Sequence, residues 1–124
     1  MSFQTYQPFY TQTFLDCLDN HREQQERTLE LVSRIVENPT VQSHFLDYKG
    51  GVDLRGKRRR HMSGNFVIIY IVCEECFKMH HRGKFNNCAC CTGELTDWII
   101  FLAFGKWDDI YTHNYIADYP NDLK

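Results

Sequence analysis

The chain lacks any apolar run long enough to cross a bilayer. Its longest runs, FVIIYIV and WIIFLAF, have seven residues each, whereas a spanning helix needs about 20. It also lacks a secretory signal, because MSFQTYQPFY has neither a basic start nor an apolar stretch. The net charge is only −2, which argues against a protein that binds polyanions with its whole surface. These absences predict a cytoplasmic protein with no membrane partner, whose six cysteines stay reduced.

The residues that are present fit a single domain over residues 1–124 with one hydrophobic core. The first ten residues suit a short edge strand, after which Thr11 or Thr13 can cap a helix. The segment HREQQERTLELVSRIVENP predicts a second helix, whose apolar stripe consists of Leu29, Val32, Ile35 and Val36. The segment from Thr40 to Gly51 has no clear period, so it is predicted to be a loop.

Three strands are predicted after that loop. LRGKRRRHM is a basic strand, FVIIYIV is a strand buried on both faces, and DWIIFLAF is a second buried strand closed by Gly105. The order β-α-α-β-β-β predicts an α+β fold in which two N-terminal helices pack on one face of a small antiparallel sheet.

Five of the six cysteines lie between the last two predicted strands, in CEECFKMHHRGKFNNCACC. Two C-x2-C pairs separated by eleven residues supply four thiolates at the spacing of a tetrahedral zinc site. A structural zinc ion is therefore predicted in a hairpin insertion over residues 73–91, held by Cys73, Cys76, Cys88 and Cys91. Cys90 can replace Cys91, and His80 or His81 can replace one thiolate.

Other interpretations of the cysteines stay open. They can be free thiols in a loop. A redox C-x-x-C pair is less favoured, because the sequence shows no helix N-terminus that would lower the pKa of a thiol. Cys17 lies on the apolar face of the first predicted helix and is expected in the core.

The basic run has four consecutive cations, from Lys57 to Arg60. On a strand, Arg58 and Arg60 face one side, while Arg59 and Lys57 face the other. A sheet core cannot bury so many charges, so one face is expected to be open to solvent or to a ligand. The run suits either a solvated edge or a phosphate-binding surface, because arginine offers bidentate donors to phosphate oxygens.

Four pieces of the sequence, TQTFLDCL, RIVENP, LRGKRRRHMSGNFVIIY and IIFLAFGKWDDIY, carry a resemblance to a known family. In this order they resemble the RelE/ParE superfamily of toxins from toxin–antitoxin pairs, and specifically the RelE-like messenger-RNA interferases. The resemblance runs from about Phe9 to Tyr111, apart from the cysteine insertion. It implies a sheet that cradles RNA in the ribosome, with the helices behind it, and an antitoxin that masks the basic face.

The resemblance also implies a chemistry and its residues. A ribose 2′-OH attacks the adjacent phosphate, and this needs a base, a proton donor and positive charge rather than a catalytic metal. The catalytic set implied by the motifs is Arg58, Arg60, Lys106 and Tyr111. The RNA contacts implied beside it come from Lys57, Arg59, His61 and Trp107.

Two positions depart from the family pattern. Val67 and Trp107 stand where that pattern usually has arginine. Lys106 can supply the missing charge, and His61 or His113 can supply an acid–base group.

Three functions are therefore predicted. The first is a ribosome-dependent RNA-cleaving toxin with a cognate antitoxin, favoured by the intact basic strand and Tyr111. The second is a non-catalytic, zinc-clipped module of the same fold that binds RNA or protein, favoured by Val67 and Trp107. The third is a thiol redox protein, favoured by the spare Cys90.

Overall fold

The structure is a computed structural model that describes residues 6–46, 48–49, 52–53, 57–62, 64–75 and 97–108. Its elements in chain order are β1 Gln7–Tyr10, α1 Gln12–Asn20, a 3-10 turn Arg22–Gln24, α2 Gln25–Glu37, β2 Ser43–Phe45, β3 Tyr48–Lys49, β4 Val52–Asp53, β5 Arg58–His61, β6 Phe66–Val72 and β7 Trp98–Lys106. The helices and strands predicted from the sequence are all present, and the α+β class is confirmed. None of the described helices is long and apolar enough to span a membrane.

The sheet is mixed rather than antiparallel, so that part of the prediction is wrong. Five strands lie in the order β1-β7-β6-β5-β2, and β3 pairs with β4 separately. Strand β7 is antiparallel to β6, but its other edge pairs with β1 in parallel.

The segment from Thr40 to Gly51 is predicted to be a loop, and this is wrong at β2 and at β3. Residues Ser43 to Phe45 pair with β5 and extend the sheet by one edge strand. A three-residue strand has too few positions to show an alternating pattern, so its pairing with β5 decides its conformation.

Both helices pack on one face of the sheet, which we call the helix-side face. Phe14 of α1 and Val32 and Ile35 of α2 meet sheet residues that include Ile68, Tyr70, Val72 and Phe101. The helix start is fixed by Thr11, whose hydroxyl accepts from the Phe14 N–H at 3.1 Å and lies within hydrogen-bond distance of two carbonyls of β7. The predicted stripe of α2 is wrong at Leu29, which is exposed, whereas Thr28 is buried.

The opposite face of the sheet, which we call the outer face, is also apolar. Its buried residues are Val67, Ile69, Ile71, Cys73, Ile100, Leu102 and Ala103. Leu46, Phe9, Trp98 and Trp107 pack against them. The prediction that β6 and β7 are buried on both faces is therefore confirmed.

Candidate functional site

The arginines of β5 are divided between the two faces of the sheet. Arg58 and Arg60 pair with Tyr70 and Ile68, so they lie on the helix-side face. Arg59 and His61 pair with Ile69 and Val67 on the outer face. The predicted alternation along the strand is confirmed. The catalytic pair that the family resemblance implies, Arg58 and Arg60, therefore lies on the side opposite to Arg59 and His61.

Arg58 is held in a network of side chains. Its Nε and Nη2 donate to the two carboxylate oxygens of Glu75 at 2.7 Å and 2.6 Å, and its Nη1 donates to Ser43 Oγ at 3.0 Å. The guanidinium also lies over the Phe45 ring, 4.1 Å from the centroid. The hydrogen bond with Glu75 raises the pKa of Arg58. This network joins β5 to β2 and to the start of the cysteine segment.

Tyr70 and Arg60 lie beside that network on the helix-side face. The Tyr70 hydroxyl donates to the Pro39 carbonyl at 2.5 Å. Burial raises the pKa of the Tyr70 phenol, and a hydrogen bond with Ser43, followed by the charges of Arg58 and Arg60, opposes that shift in part. Arg60 is only 8% exposed, and within the described ranges its side chain has no hydrogen-bond or ion-pair partner.

A corner of the outer face brings together several predicted RNA contacts. We call it the corner site and define it by Arg59, His61, Val67, Gly105 and Trp107. The Arg59 guanidinium lies 4.7 Å from the centre of the Trp107 ring. The backbone N–H of Trp107 donates to the Asn65 carbonyl at 2.7 Å. This bond fixes the chain just after β7. His61 is exposed.

One position of the corner site, Gly105, borders open space, whereas Val67 beside it is buried. Val67 pairs with Gly105, and both lie in the row of residues that begins at His61. Among the described residues, a Cβ atom added to Gly105 would meet nothing within 4 Å. The absent side chain leaves open space beside Gly105, which we call the recess. Trp107 follows two residues later in the chain, and His61 is the partner of Val67 on β5.

The other predicted site residues lie elsewhere. Lys106 is exposed and pairs with Phe66, on the helix-side face rather than in the corner site. Lys57 is buried just before β5, and its carbonyl accepts from the Leu46 N–H at 2.9 Å. Tyr111 and His113 lie outside the described residues, so their roles stay predictions.

A groove of about 210 Å³ was not predicted from the sequence. It lies between α2 and the end of β5 and is lined by Arg27, Glu30, Leu31, Arg34, His61 and Met62. Arg34 is paired with Glu30 at 3.0 Å, which offsets part of the positive charge there. The seven-residue spacing of Arg27 and Arg34 places them on one side of α2, but only the fold brings β5 beside them.

Cys73 is the one predicted zinc ligand that falls on described residues. It is 2% exposed and packs in the outer-face core at the end of β6. Residues 73–75 are helical, so the sequence-based argument against a redox pair, which was that no helix N-terminus is visible near the cysteines, does not hold at Cys73. Among the described residues, no three His, Cys, Asp or Glu side chains form a group that could hold a metal ion. Cys76, Cys88 and Cys91 lie outside those residues, so the zinc site stays a prediction.

Cys17 is partly buried on α1, where it packs against residues of both cores, which agrees with its predicted structural place. Burial raises the pKa of its thiol, while a hydrogen bond with the backbone of Phe104 opposes the shift. A thiol in this state is a poor nucleophile.

No protein-family model matches the chain, and no curated protein matches it in sequence. Solved structures do match. A chain of the RelBE2 toxin–antitoxin complex from Mycobacterium tuberculosis aligns with a TM-score of 0.55 at 12% identity, over 82% of this chain and 98% of that one. YafQ from E. coli aligns with a TM-score of 0.52 at 12% identity, over 86% of this chain and 98% of its own.

The chain has the RelE-like fold. The resemblance deduced from the short motifs is thereby confirmed at the level of the fold. At 12% identity the likeness extends to the arrangement of helices and strands, while the chemistry depends on the side chains of this chain.

Proposed function

We propose that this chain is the toxin of a toxin–antitoxin pair, and that it cleaves messenger RNA on the ribosome with the corner site. The observation that carries the proposal is the Arg59 guanidinium stacked on Trp107 beside the exposed His61, on the outer face of a RelE-like sheet. The aligned RelBE2 structure is a toxin–antitoxin complex, which supports an antitoxin as the partner of this chain too.

Each part of the reaction has a candidate group in the corner site. The 2′-oxygen of one ribose attacks the adjacent phosphorus, its proton leaves to a base, and the 5′-oxygen departs with a proton. His61 can accept or donate these protons. The Arg59 cation can stabilise the charge that develops on the phosphate oxygens. Trp107 offers a ring on which a base can stack.

Arg59 also supplies positive charge in place of the two arginines that the family pattern has and this chain lacks. Val67 and Trp107 replace arginines of that pattern, but the Arg59 side chain reaches the Trp107 ring and brings a guanidinium to this corner. Arg58 is left out of the reacting set because its donors are bound to Glu75 and Ser43. Arg60 is left out because it lies on the helix-side face.

Induced expression in bacterial cells tests the proposal. We expect growth arrest, together with cuts inside translated codons when the purified protein is added to ribosomes with bound message. Harmless expression and intact message would contradict the toxin function.

Gly105→Leu should abolish the arrest while the protein stays folded. A leucine side chain would extend into the recess, where among described residues nothing lies within 4 Å of the added Cβ. Gly105→Ala is the matched control, since one methyl group leaves most of the recess open. Circular dichroism of both variants checks the fold. Full activity in the leucine variant would place the reaction elsewhere.

A non-catalytic module of the same fold is the second candidate. The apolar, buried centre of the outer face favours it, because Val67, Ile69 and Ile71 offer no charge to a phosphate. This candidate predicts RNA or partner binding with unchanged message. The same ribosome assay therefore separates it from the toxin.

A structural zinc ion remains part of the proposal. The donor set suits zinc, since Cys73 is a buried thiol at the point where the insertion leaves β6, and Cys76, Cys88 and Cys91 complete the two C-x2-C pairs. We expect about one zinc per chain by elemental analysis of protein purified under reducing conditions. The variant Cys88→Ser should lower that ratio, whereas Cys17→Ser should leave it unchanged. A metal-free, folded protein would exclude the site.

A further inference from the structure

Glu75 lies where the cysteine insertion leaves the sheet. Residues 73–75 are helical and follow β6 directly, and Cys73 at their start is buried in the outer-face core. Glu75 stands inside the first C-x2-C pair, two residues after Cys73 and one before Cys76. Whatever fixes Glu75 therefore also fixes the chain between the two thiols.

A side-chain pair joins Glu75 to β5. The described ladder of β5 and β6 ends at Arg58 and Tyr70, and Glu75 lies five residues beyond it. The Arg58 guanidinium donates two hydrogen bonds to the Glu75 carboxylate, at 2.7 Å and 2.6 Å. Because two parallel bonds fix orientation as well as distance, this pair holds the chain past the end of that ladder.

Arg58 is itself held in place from the opposite side. Its Nη1 donates to Ser43 Oγ at 3.0 Å, and its guanidinium lies 4.1 Å from the centroid of the Phe45 ring. The side chains of Arg58 and Glu75 are only 11% and 22% exposed, so water screens their attraction less than at an open surface. The pair is therefore a preorganised link from β2 and β5 to the start of the insertion.

The charge of Arg58 also suits a place beside a thiolate site. A zinc ion with four thiolates carries net negative charge. Glu74 and Glu75 bring two more negative charges into the first cysteine pair. The ion pair with Arg58 offsets the charge of Glu75, which would otherwise repel the thiolates.

We propose that Arg58 and Glu75 are positioning residues for the zinc site, and that their pair holds the chain between Cys73 and Cys76 so that both thiols can reach one ion. Contacts outside the ligand set commonly orient metal ligands in this way. The inference rests on the proposed zinc site and deepens it. It also gives Arg58 a role in the insertion in place of the catalytic role that the family resemblance implies.

The zinc affinity of the full chain tests the proposal, measured by competition with a chromophoric chelator under reducing conditions. Arg58→Gln and Glu75→Ala should each lower the affinity about tenfold. The double variant should lose little more than either single variant, because all three lack the same pair. Arg58→Lys should recover part of the affinity, since it keeps the charge but loses the two-donor geometry.

Two further variants control for general effects. Arg34→Gln removes a cation from an ion pair whose side chains are each 64% exposed. Val32→Ala lowers stability by removing buried methyl groups from the α2 core. Both should keep the zinc affinity within about twofold. Every titration is made at a temperature where circular dichroism shows the variant to be folded.

The coupling must also act in the opposite direction, because linkage between two equilibria is reciprocal. Removal of zinc with a chelator should therefore weaken the pair by the same factor. The Arg58 Nε proton, which donates to Glu75, should then exchange with solvent about tenfold faster. Nuclear magnetic resonance of the chain with isotope-labelled arginine measures this rate without any assay of activity.

The possible failures can be told apart. An original chain without zinc would remove the proposed site and the inference with it. Zinc bound equally well by the original chain, Arg58→Gln and Glu75→Ala would overturn the inference alone. A tenfold loss in Val32→Ala would also overturn it, because the affinity would then follow overall stability rather than this pair.

Discussion

Arg58→Met should lower the free energy of unfolding by about 2–3 kcal/mol, measured by chemical denaturation. Its guanidinium makes two hydrogen bonds to Glu75 and one to Ser43, and the paired side chains are only 11% and 22% exposed. Without the cation, the Glu75 carboxylate stays partly desolvated with no counterion. Breaking a fully buried pair costs about 3–5 kcal/mol, and we expect less because both groups still reach water.

The chain contains a matched control for this pair. Arg34 and Glu30 form an ion pair at 3.0 Å whose side chains are each 64% exposed, so Arg34→Met should change the unfolding free energy by less than about 0.5 kcal/mol. Removing both Arg58 and Glu75 should cost less than the sum of the single changes. A stable Arg58→Met protein that no longer cleaves RNA would instead return Arg58 to the reacting set.

The parts of the fold that were predictable depend on local signals. The apolar run from Phe66 to Val72 is β6 with the bounds expected from its sequence. Thr11 caps α1 because its hydroxyl reaches the Phe14 N–H three residues later, which is a purely local geometry. The alternation of Arg58, Arg59 and Arg60 also follows from strand geometry alone.

The parts that were not predictable depend on pairings between distant segments. The sequence shows that Arg58 and Arg60 share a face, but only the register with Tyr70 and Ile68 shows that the helices cover that face. The parallel pairing of β1 with β7 joins residues about ninety positions apart, as in the bond from Thr11 to Phe101. No local pattern encodes such a contact.

A register shift in the β6–β7 ladder also affects the site and is not visible in the sequence. The register of β6 and β7 shifts between Ile69 and Tyr70, which pair with Ala103 and Phe101. Leu102 is thus an extra residue, and the side chains that follow it change faces relative to a regular strand. This shift places Gly105 opposite Val67 on the outer face and Lys106 on the helix-side face. A regular alternation counted from Trp98 would have assigned both residues to the wrong side.

Arg59→Gln should slow cleavage of ribosome-bound message by about a hundredfold or more, which is the usual loss when one preorganised donor to a developing oxyanion is removed. The Arg59 guanidinium is positioned by the Trp107 ring at 4.7 Å, beside the recess over Gly105. The substitution also removes the cation–π contact, which contributes about 0.5–1 kcal/mol when partly exposed. We therefore expect a small loss of stability and a large loss of rate.

The measurement that separates chemistry from folding is a single-turnover cleavage rate at a temperature where both proteins are fully folded. Arg59→Lys should recover part of the rate, because it keeps the charge but loses the planar, stacked geometry. Arg22→Gln, which removes an exposed cation from the 3-10 turn, controls for the general loss of positive charge toward RNA. If Arg59→Gln cleaves at the original rate while Arg60→Gln does not, the reaction lies on the helix-side face and the corner site is a binding surface at most.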